Sequence, residues 1–133
     1  MIKEKISEWA ETTTLLEGHD RLEYLMDLAK KPTTLTPERA DEKLIPGCIS
    51  KIWVDVDVVD NTVFVKYDSD AMITKGIAHV IADCFNECTI NDIKNIKNED
   101  FHALGFVQLL TQQRRNGLGN LIEIIIKKAI LQA

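Results

Sequence analysis

The last part of the run from Ile49 to Val58 alternates apolar and polar residues with period two, and Asp60-Asn61 interrupts the apolar pattern before it resumes at Thr62–Tyr67. That pattern is the mark of half-buried strands, because successive side chains of a strand point to opposite faces. The run Ile49-Ser50-Lys51-Ile52-Trp53-Val54-Asp55-Val56-Asp57-Val58 therefore predicts one strand. Thr62-Val63-Phe64-Val65-Lys66-Tyr67 predicts its return. With a turn at Asp60-Asn61 the two make an antiparallel hairpin. Strict alternation puts Ile52, Val54 and Val56 on one face and Lys51, Trp53 and Asp55 on the other, so Trp53 is expected to be exposed or half-exposed.

The flanking segments read as helices. Ile2, Ile6, Trp9, Ala10 and Leu16 fall near helical spacing up to about Glu17, with Trp9 in the packing of that first helix. Gly18 and His19 interrupt the pattern, and Asp20 is an expected N-cap for a second helix whose apolar side is Leu22, Tyr24, Leu25, Met26, Leu28 and Ala29. Pro32 and Pro37 bracket a Thr-rich connection reaching Lys43, which no helix should cross. After the hairpin, Ser69 or Asp70 is an expected cap for a helix with the stripe Ile73, Ile77, Val80, Ile81, Cys84 and Cys88. Thr89 caps a short helix from Ile90 to about Ile96. Phe101–Phe106 is an irregular or short helical piece, and Gln108–Asn116 a polar connection. From Gly117 an apolar helix should turn Leu118, Leu121, Ile122, Ile125, Ile126, Ala129 and Ile130 inward. A small antiparallel sheet with helices before and after it in the chain is an α+β arrangement. At 133 residues, residues 1–133 read as a single domain.

Composition narrows the function. The net charge of −5 and the lack of any Lys/Arg stripe argue against a nucleic-acid backbone as main partner. No apolar run is long enough for a membrane span. The charged, amphipathic start has no signal-peptide core, so a cytoplasmic setting with free thiols is expected, and three cysteines cannot all pair internally.

Cys48 follows Pro46-Gly47 and precedes the first strand. Proline stiffens the approach and glycine lets the backbone turn, so a cysteine at this tip can be exposed and reach a partner. A small buried hydrophobe at a strand start also fits the spacing. Cys84 and Cys88 lie four apart on a helix with His79 five residues before the first, which raises metal binding. The two thiols share the apolar stripe, His79 lies about 200° around the helix from Ile77 at about 100° per residue, and no CxxC accompanies them, so they read as core residues. Arg114-Arg115-Asn116-Gly117 reads as a solvated turn, or as a docking arginine whose planar donors hold a carboxylate.

Three blocks together resemble the SufE family, the sulfur acceptors of iron–sulfur cluster assembly: Ile45-Pro46-Gly47-Cys48-Ile49-Ser50-Lys51-Ile52-Trp53, Asp68-Ser69-Asp70-Ala71-Met72-Ile73-Thr74-Lys75-Gly76, and Leu110-Thr111-Gln112-Gln113-Arg114-Arg115-Asn116-Gly117-Leu118. The resemblance covers nearly the whole chain in order. It implies a SufE/IscU-like fold, no cofactor of the chain's own, and a cysteine desulfurase of the SufS type as partner, with an iron–sulfur scaffold complex as sulfur recipient. By position, Cys48 matches the cysteine that becomes a persulfide, Asp70 the second acidic residue of the Asp-Ser-Asp motif near the cysteine loop, and Arg114 the arginine associated with partner contact. The protein would then be no enzyme itself, but a covalent carrier that stimulates its partner. Ile49 and Lys51 stand where the family often has Gln, Gln112-Gln113 where it usually has Pro-Ser, and Arg115 where it has a small polar residue. Two rival readings are an iron–sulfur scaffold of the IscU type, which would need its cysteines gathered at one site, and a desulfurase regulator that accepts no sulfur.

Overall fold

The computed structural model describes residues 2–30, 37, 39–46, 51–106 and 112–133, with the side chains of Gly18 and of residues 112–116 outside the described set. Among the described residues, five helices and two strands follow in the order α1 (Ile2–Leu15), α2 (Gly18–Ala29), β1 (Ile52–Val59), β2 (Thr62–Ser69), α3 (Met72–Phe85), α4 (Ile90–Lys94) and α5 (Gln112–Leu131). Short 3-10 turns occupy Asp41–Lys43 and Asn98–Leu104.

β1 and β2 pair antiparallel in unbroken register from Ile52 opposite Ser69 to Val59 opposite Thr62. Asp60 and Asn61 both have positive φ, 51° and 64°. This is the left-handed conformation that a two-residue hairpin loop demands, and Asp and Asn tolerate it better than most residues. The α+β reading therefore holds. β2 is covered along its outer edge by the chain after α3: Val63 N–H donates to Cys88 O at 2.9 Å, Glu87 N–H donates to Val63 O at 2.8 Å, and Val65 N–H donates to Asn86 Oδ1 at 2.7 Å. The outer edge of β1 is covered by α5 and the residue that follows it: Lys128 Nζ and Gln132 Nε2 donate to the carbonyls of Val54 at 3.3 Å and Val56 at 2.6 Å. Filling both edges leaves less backbone open to strand-to-strand association.

The core lies where α3 and α5 meet the sheet and α2 packs on α3, around Leu25, Val54, Val63, Val80, Ile81, Phe85, Leu121, Ile122 and Ile125, all nearly inaccessible. Gly76 is what lets α3 close on α2: a Cβ there would sit 2.0 Å from the Leu25 carbonyl oxygen. α4 has the Thr89 cap that its sequence predicts, with a reciprocal pair of hydrogen bonds between Thr89 and Asp92.

Several expectations are corrected. α2 starts at Gly18 with Glu17 in the capping position and no side-chain cap, which puts Asp20 inside the first turn. There its charge offsets the helix dipole without bonding a backbone N–H. Neither Ser69 nor Asp70 is the N-cap residue of α3; that position is Ala71, because Ser69 and Asp70 are spent on the sheet end described below. α5 begins at Gln112, within the segment expected to be a polar connection; glutamine and arginine are good helix formers even where no apolar stripe marks them. Met26 and Ile130 are part of the solvent-facing surface rather than of the core.

Candidate functional site

The site is built at the end of the sheet where β1 begins and β2 ends. Cys48 itself lies outside the described residues, as do Gly47, Ile49 and Ser50. The residues that bound this stretch, Pro46 and Lys51, are both described and both held.

On the outgoing side, Lys51 is gripped at both backbone groups. Its N–H donates to Asp70 Oδ1 at 2.9 Å. Its carbonyl accepts from Ser69 Oγ at 2.8 Å and from the Asp70 N–H at 3.1 Å. Ser69 Oγ also accepts from the Ala71 N–H at 3.3 Å. Asp70 and Ser69 thus tie the end of β2 and the start of α3 to the residue where the cysteine segment rejoins the sheet. Asp70 is solvent-exposed, so its carboxylate carries this bond at the surface rather than in the core.

On the incoming side, Leu44 forms an isolated antiparallel bridge with Trp53, and Ile45 N–H donates to Ile52 O at 2.9 Å. Leu44 and Ile45 therefore lie against the start of β1. Asn120 of α5 donates from Nδ2 to Pro46 O at 2.7 Å. Sequence reasoning missed Asn120, which carries no signal beyond being a polar residue beside Leu121 and Ile122.

Beneath these anchors lies a charged cluster that sequence reasoning also missed. Asp68, opposite Trp53 in the sheet, is nearly buried. Arg39 Nε donates to its Oδ2 at 2.9 Å, Lys75 Nζ lies 3.6 Å from its Oδ1, and the Ser69 N–H donates to Oδ1 at 2.9 Å. Burial pushes the Asp68 carboxyl up, but the hydrogen bonds from Arg39 and Ser69 and the charges of Arg39 and Lys75 outweigh it, so its pKa lies below the ordinary carboxylate value. The Arg39 guanidinium also lies over the Trp53 ring, 4.6 Å from its centre. This corrects the expectation for Trp53: it is only 6 % exposed, because a residue fourteen positions away covers the face that alternation turns outward.

The other two cysteines are where the helical stripe predicts. Cys84 and Cys88 are fully buried, and the Cys88 thiol donates to the Cys84 carbonyl at 3.2 Å. Burial, reinforced by the Asp83 charge, pushes the Cys84 thiol up to about 12, and burial also raises Cys88. A thiolate is the nucleophile and the metal ligand, so neither residue is poised for either task. His79 is committed elsewhere, with Nδ1 2.5 Å from the Tyr67 hydroxyl. Among the described residues no three His, Cys, Asp or Glu side chains gather as a metal-holding group. The backbone of Arg114 falls in the first turn of α5, and its side chain is outside the described set.

A family profile described as "SufE: Fe-S metabolism associated domain" matches residues 7–129. The chain belongs to the SufE family. It is 32% identical over 117 residues to "SufE-like protein 1, chloroplastic/mitochondrial" of Arabidopsis thaliana, covering 86% of this chain and 31% of that one. It therefore spans about a third of the length of that plant relative. An uncharacterized SufE-like protein of Synechocystis is 30% identical over 114 residues, covering 83% of this chain and 70% of the relative. One of Rhizobium meliloti is 29% identical over 119 residues, covering 85% of each. In fold, the chain is similar to the solution structure of a hypothetical protein from Thermus thermophilus, with a TM-score of 0.79 and 16% identity over 96% of this chain and 95% of that one. No helix of the described residues is long and apolar enough to cross a membrane. The chain is thus a SufE-family protein tied to iron–sulfur metabolism, with an α+β fold.

Proposed function

We propose that this chain accepts sulfur from a cysteine desulfurase as a persulfide on Cys48 and passes it to iron–sulfur cluster assembly. The observation that carries the reading is the division among the thiols. Cys84 and Cys88 are sealed in the core with raised pKa values, whereas Cys48 belongs to a stretch whose two bounding residues are secured to the sheet end and to α5. That leaves Cys48 as the thiol suited to exchange, which requires access and a thiolate.

In the proposed step the Cys48 thiolate attacks the terminal sulfur of the desulfurase persulfide. A new S–S bond forms to Cys48, the S–S bond on the desulfurase breaks, and its cysteine leaves as a thiolate. The transferred sulfur passes from one thiolate to the other at unchanged oxidation state, one S–S bond replacing another, so no oxidant or reductant is consumed. The chain is a stoichiometric carrier and activator rather than an enzyme, with its place in the cytoplasm. Asp70 serves by holding the Lys51 end of the acceptor segment, and Arg114, near the start of α5, contacts the desulfurase.

A scaffold of the IscU type would draw on several cysteines at one site, and the burial of Cys84 and Cys88 in the sheet–helix core argues against their joining Cys48. A regulator that accepts no sulfur is separated by Cys48→Ser. Under the carrier reading this change removes both the sulfur adduct and the stimulation of cysteine turnover; under the regulator reading the stimulation survives. Arg114→Glu is expected to raise the KM for this chain in the desulfurase assay while leaving its fold intact by circular dichroism. An unchanged KM would remove Arg114 from the docking surface.

A further inference from the structure

The two anchors of the acceptor segment differ in what holds them. The outgoing anchor is made of short, direct bonds to the backbone of Lys51. The incoming side, from Arg39 to Pro46, adds side-chain charges to the backbone bonds that Leu44 and Ile45 make with β1 and to the Asn120 bond at Pro46. Lys43 Nζ is 3.3 Å from Asp55 Oδ2, and Arg39 binds Asp68 and covers Trp53. Trp53 is also the residue that Leu44 bridges. One guanidinium therefore touches both members of the Trp53–Asp68 pair on which the incoming chain rests.

Arginine is suited to this double task. Its planar group can stack on an indole face and donate in-plane to a carboxylate at the same time, which an ammonium cannot do. Asp68 is kept ionised to receive it by Lys75 and the Ser69 N–H on its other oxygen. Arg39 is itself half-exposed, so the clasp lies at the surface, beside the residues that lead to Cys48.

We propose that Arg39 is a positioning residue for Cys48: clasped on Asp68 and Trp53, it fixes where Ile45 and Pro46 leave the sheet and so where the acceptor segment begins. The inference rests on the reading of Cys48 as the acceptor. It adds a residue outside the three sequence blocks that carry the family resemblance.

The test uses the full chain as wild type, Arg39→Gln and Arg39→Lys, with two readouts. The first is the rate at which iodoacetamide alkylates Cys48 in the free protein, read by peptide mass. The second is the rate of sulfur uptake from a cysteine desulfurase, resolved into its saturating value and its KM. Arg39→Gln is expected to change the alkylation rate several-fold and to lower the saturating uptake rate about tenfold, as misplacement of a reacting group does. KM and Tm should stay near wild type, and Arg39→Lys, which keeps the charge, should recover part of the loss. Unchanged alkylation and uptake in Arg39→Gln would overturn the proposal. So would a change confined to KM, which would make Arg39 a partner contact, or a rate loss that only tracks a fall in Tm. Absence of sulfur uptake in the wild type would remove the acceptor reading, and the alkylation arm would still decide whether Arg39 positions Cys48.

Discussion

The stretch of α3 that carries Cys84, together with Cys88 just beyond it, and the residues that flank the Cys48 segment, Pro46 and Lys51, are held by different kinds of contact. Around Cys84 and Cys88 everything is apolar or committed: Val80, Ile81 and Phe85 are sealed, and the thiol of Cys88 turns to a helix carbonyl. At Pro46 and Lys51, the described residues on either side of the Cys48 segment, the contacts are polar, through Asp70, Ser69 and Asn120. A low-dielectric core disfavours the thiolate, so the first region stores thiols that do not react. The second region secures the residues on either side of a cysteine, which suits the proposed carrier role. A count of three cysteines says nothing of this; their neighbours do.

The largest expected effect comes from breaking the closure that shuts the first region. Gly76→Ala drives a Cβ into the Leu25 backbone, and overpacking against a carbonyl that cannot swing away should cost about 3 kcal/mol. Chemical denaturation should show the loss, and Cys84 and Cys88 should become reactive to a thiol reagent under native conditions. If both stay unreactive in the destabilised variant, their protection does not come from the α2–α3 contact.

High pH tests the same region without a mutation. The Cys84 thiol is raised from 9.0 to about 12 by burial first and then by the Asp83 charge, and the Tyr67 hydroxyl from 10.0 to about 12 by burial first and then by the charges of Asp83 and Asp68. The folded state holds these protons and the unfolded state releases them, so unfolding is favoured by rising pH. Stability from Cys84 should be intact below pH 9 and decline from there through about 12, with Tyr67 adding to the decline from pH 10. Urea midpoints measured across this range should fall steadily; a flat profile would contradict the burial of both groups.

Cys84→Ser replaces the buried sulfur with a hydroxyl that must find a partner in the core, at an expected cost of about 1–3 kcal/mol. Sulfur uptake at Cys48 should be unaffected once the variant is folded. A loss of uptake without loss of fold would join the two regions that the structure separates. The smallest effect is expected at the other region. Asp70→Ala removes one exposed hydrogen bond to the Lys51 N–H, so global stability should fall by about 1 kcal/mol at most. Amide exchange at Lys51 should quicken by more than that of neighbouring strand residues, and equal quickening throughout β1 would assign Asp70 to general stability.

The fold was legible in the sequence wherever a short-range pattern decided it. The period-two run gave the hairpin, Asp60-Asn61 its turn, Thr89 with Asp92 its cap, and the stripe from Ile77 to Cys88 its burial. Elements set by distant partners were not legible. Alternation exposes Trp53, and Arg39, arriving from before the cysteine, lies over its ring. Ser69 and Asp70 look like caps because capping residues and sheet-end clasps use the same chemistry; Lys51 claims them first. The first turn of α5 has no apolar stripe to announce it. At the site, Cys48 stood out through Pro46-Gly47 and the family blocks, while Asn120 and Arg39 are ordinary surface residues until the fold brings them to Pro46 and Asp68.

The central claim is that Cys48 carries sulfur, and intact mass tests it most directly. The protein is incubated with a cysteine desulfurase and cysteine, without reductant. The account predicts a gain of about 32 Da per sulfur, lost on adding dithiothreitol and absent in Cys48→Ser. No adduct on the wild type with a desulfurase it demonstrably stimulates, or an adduct that persists in Cys48→Ser, would contradict it.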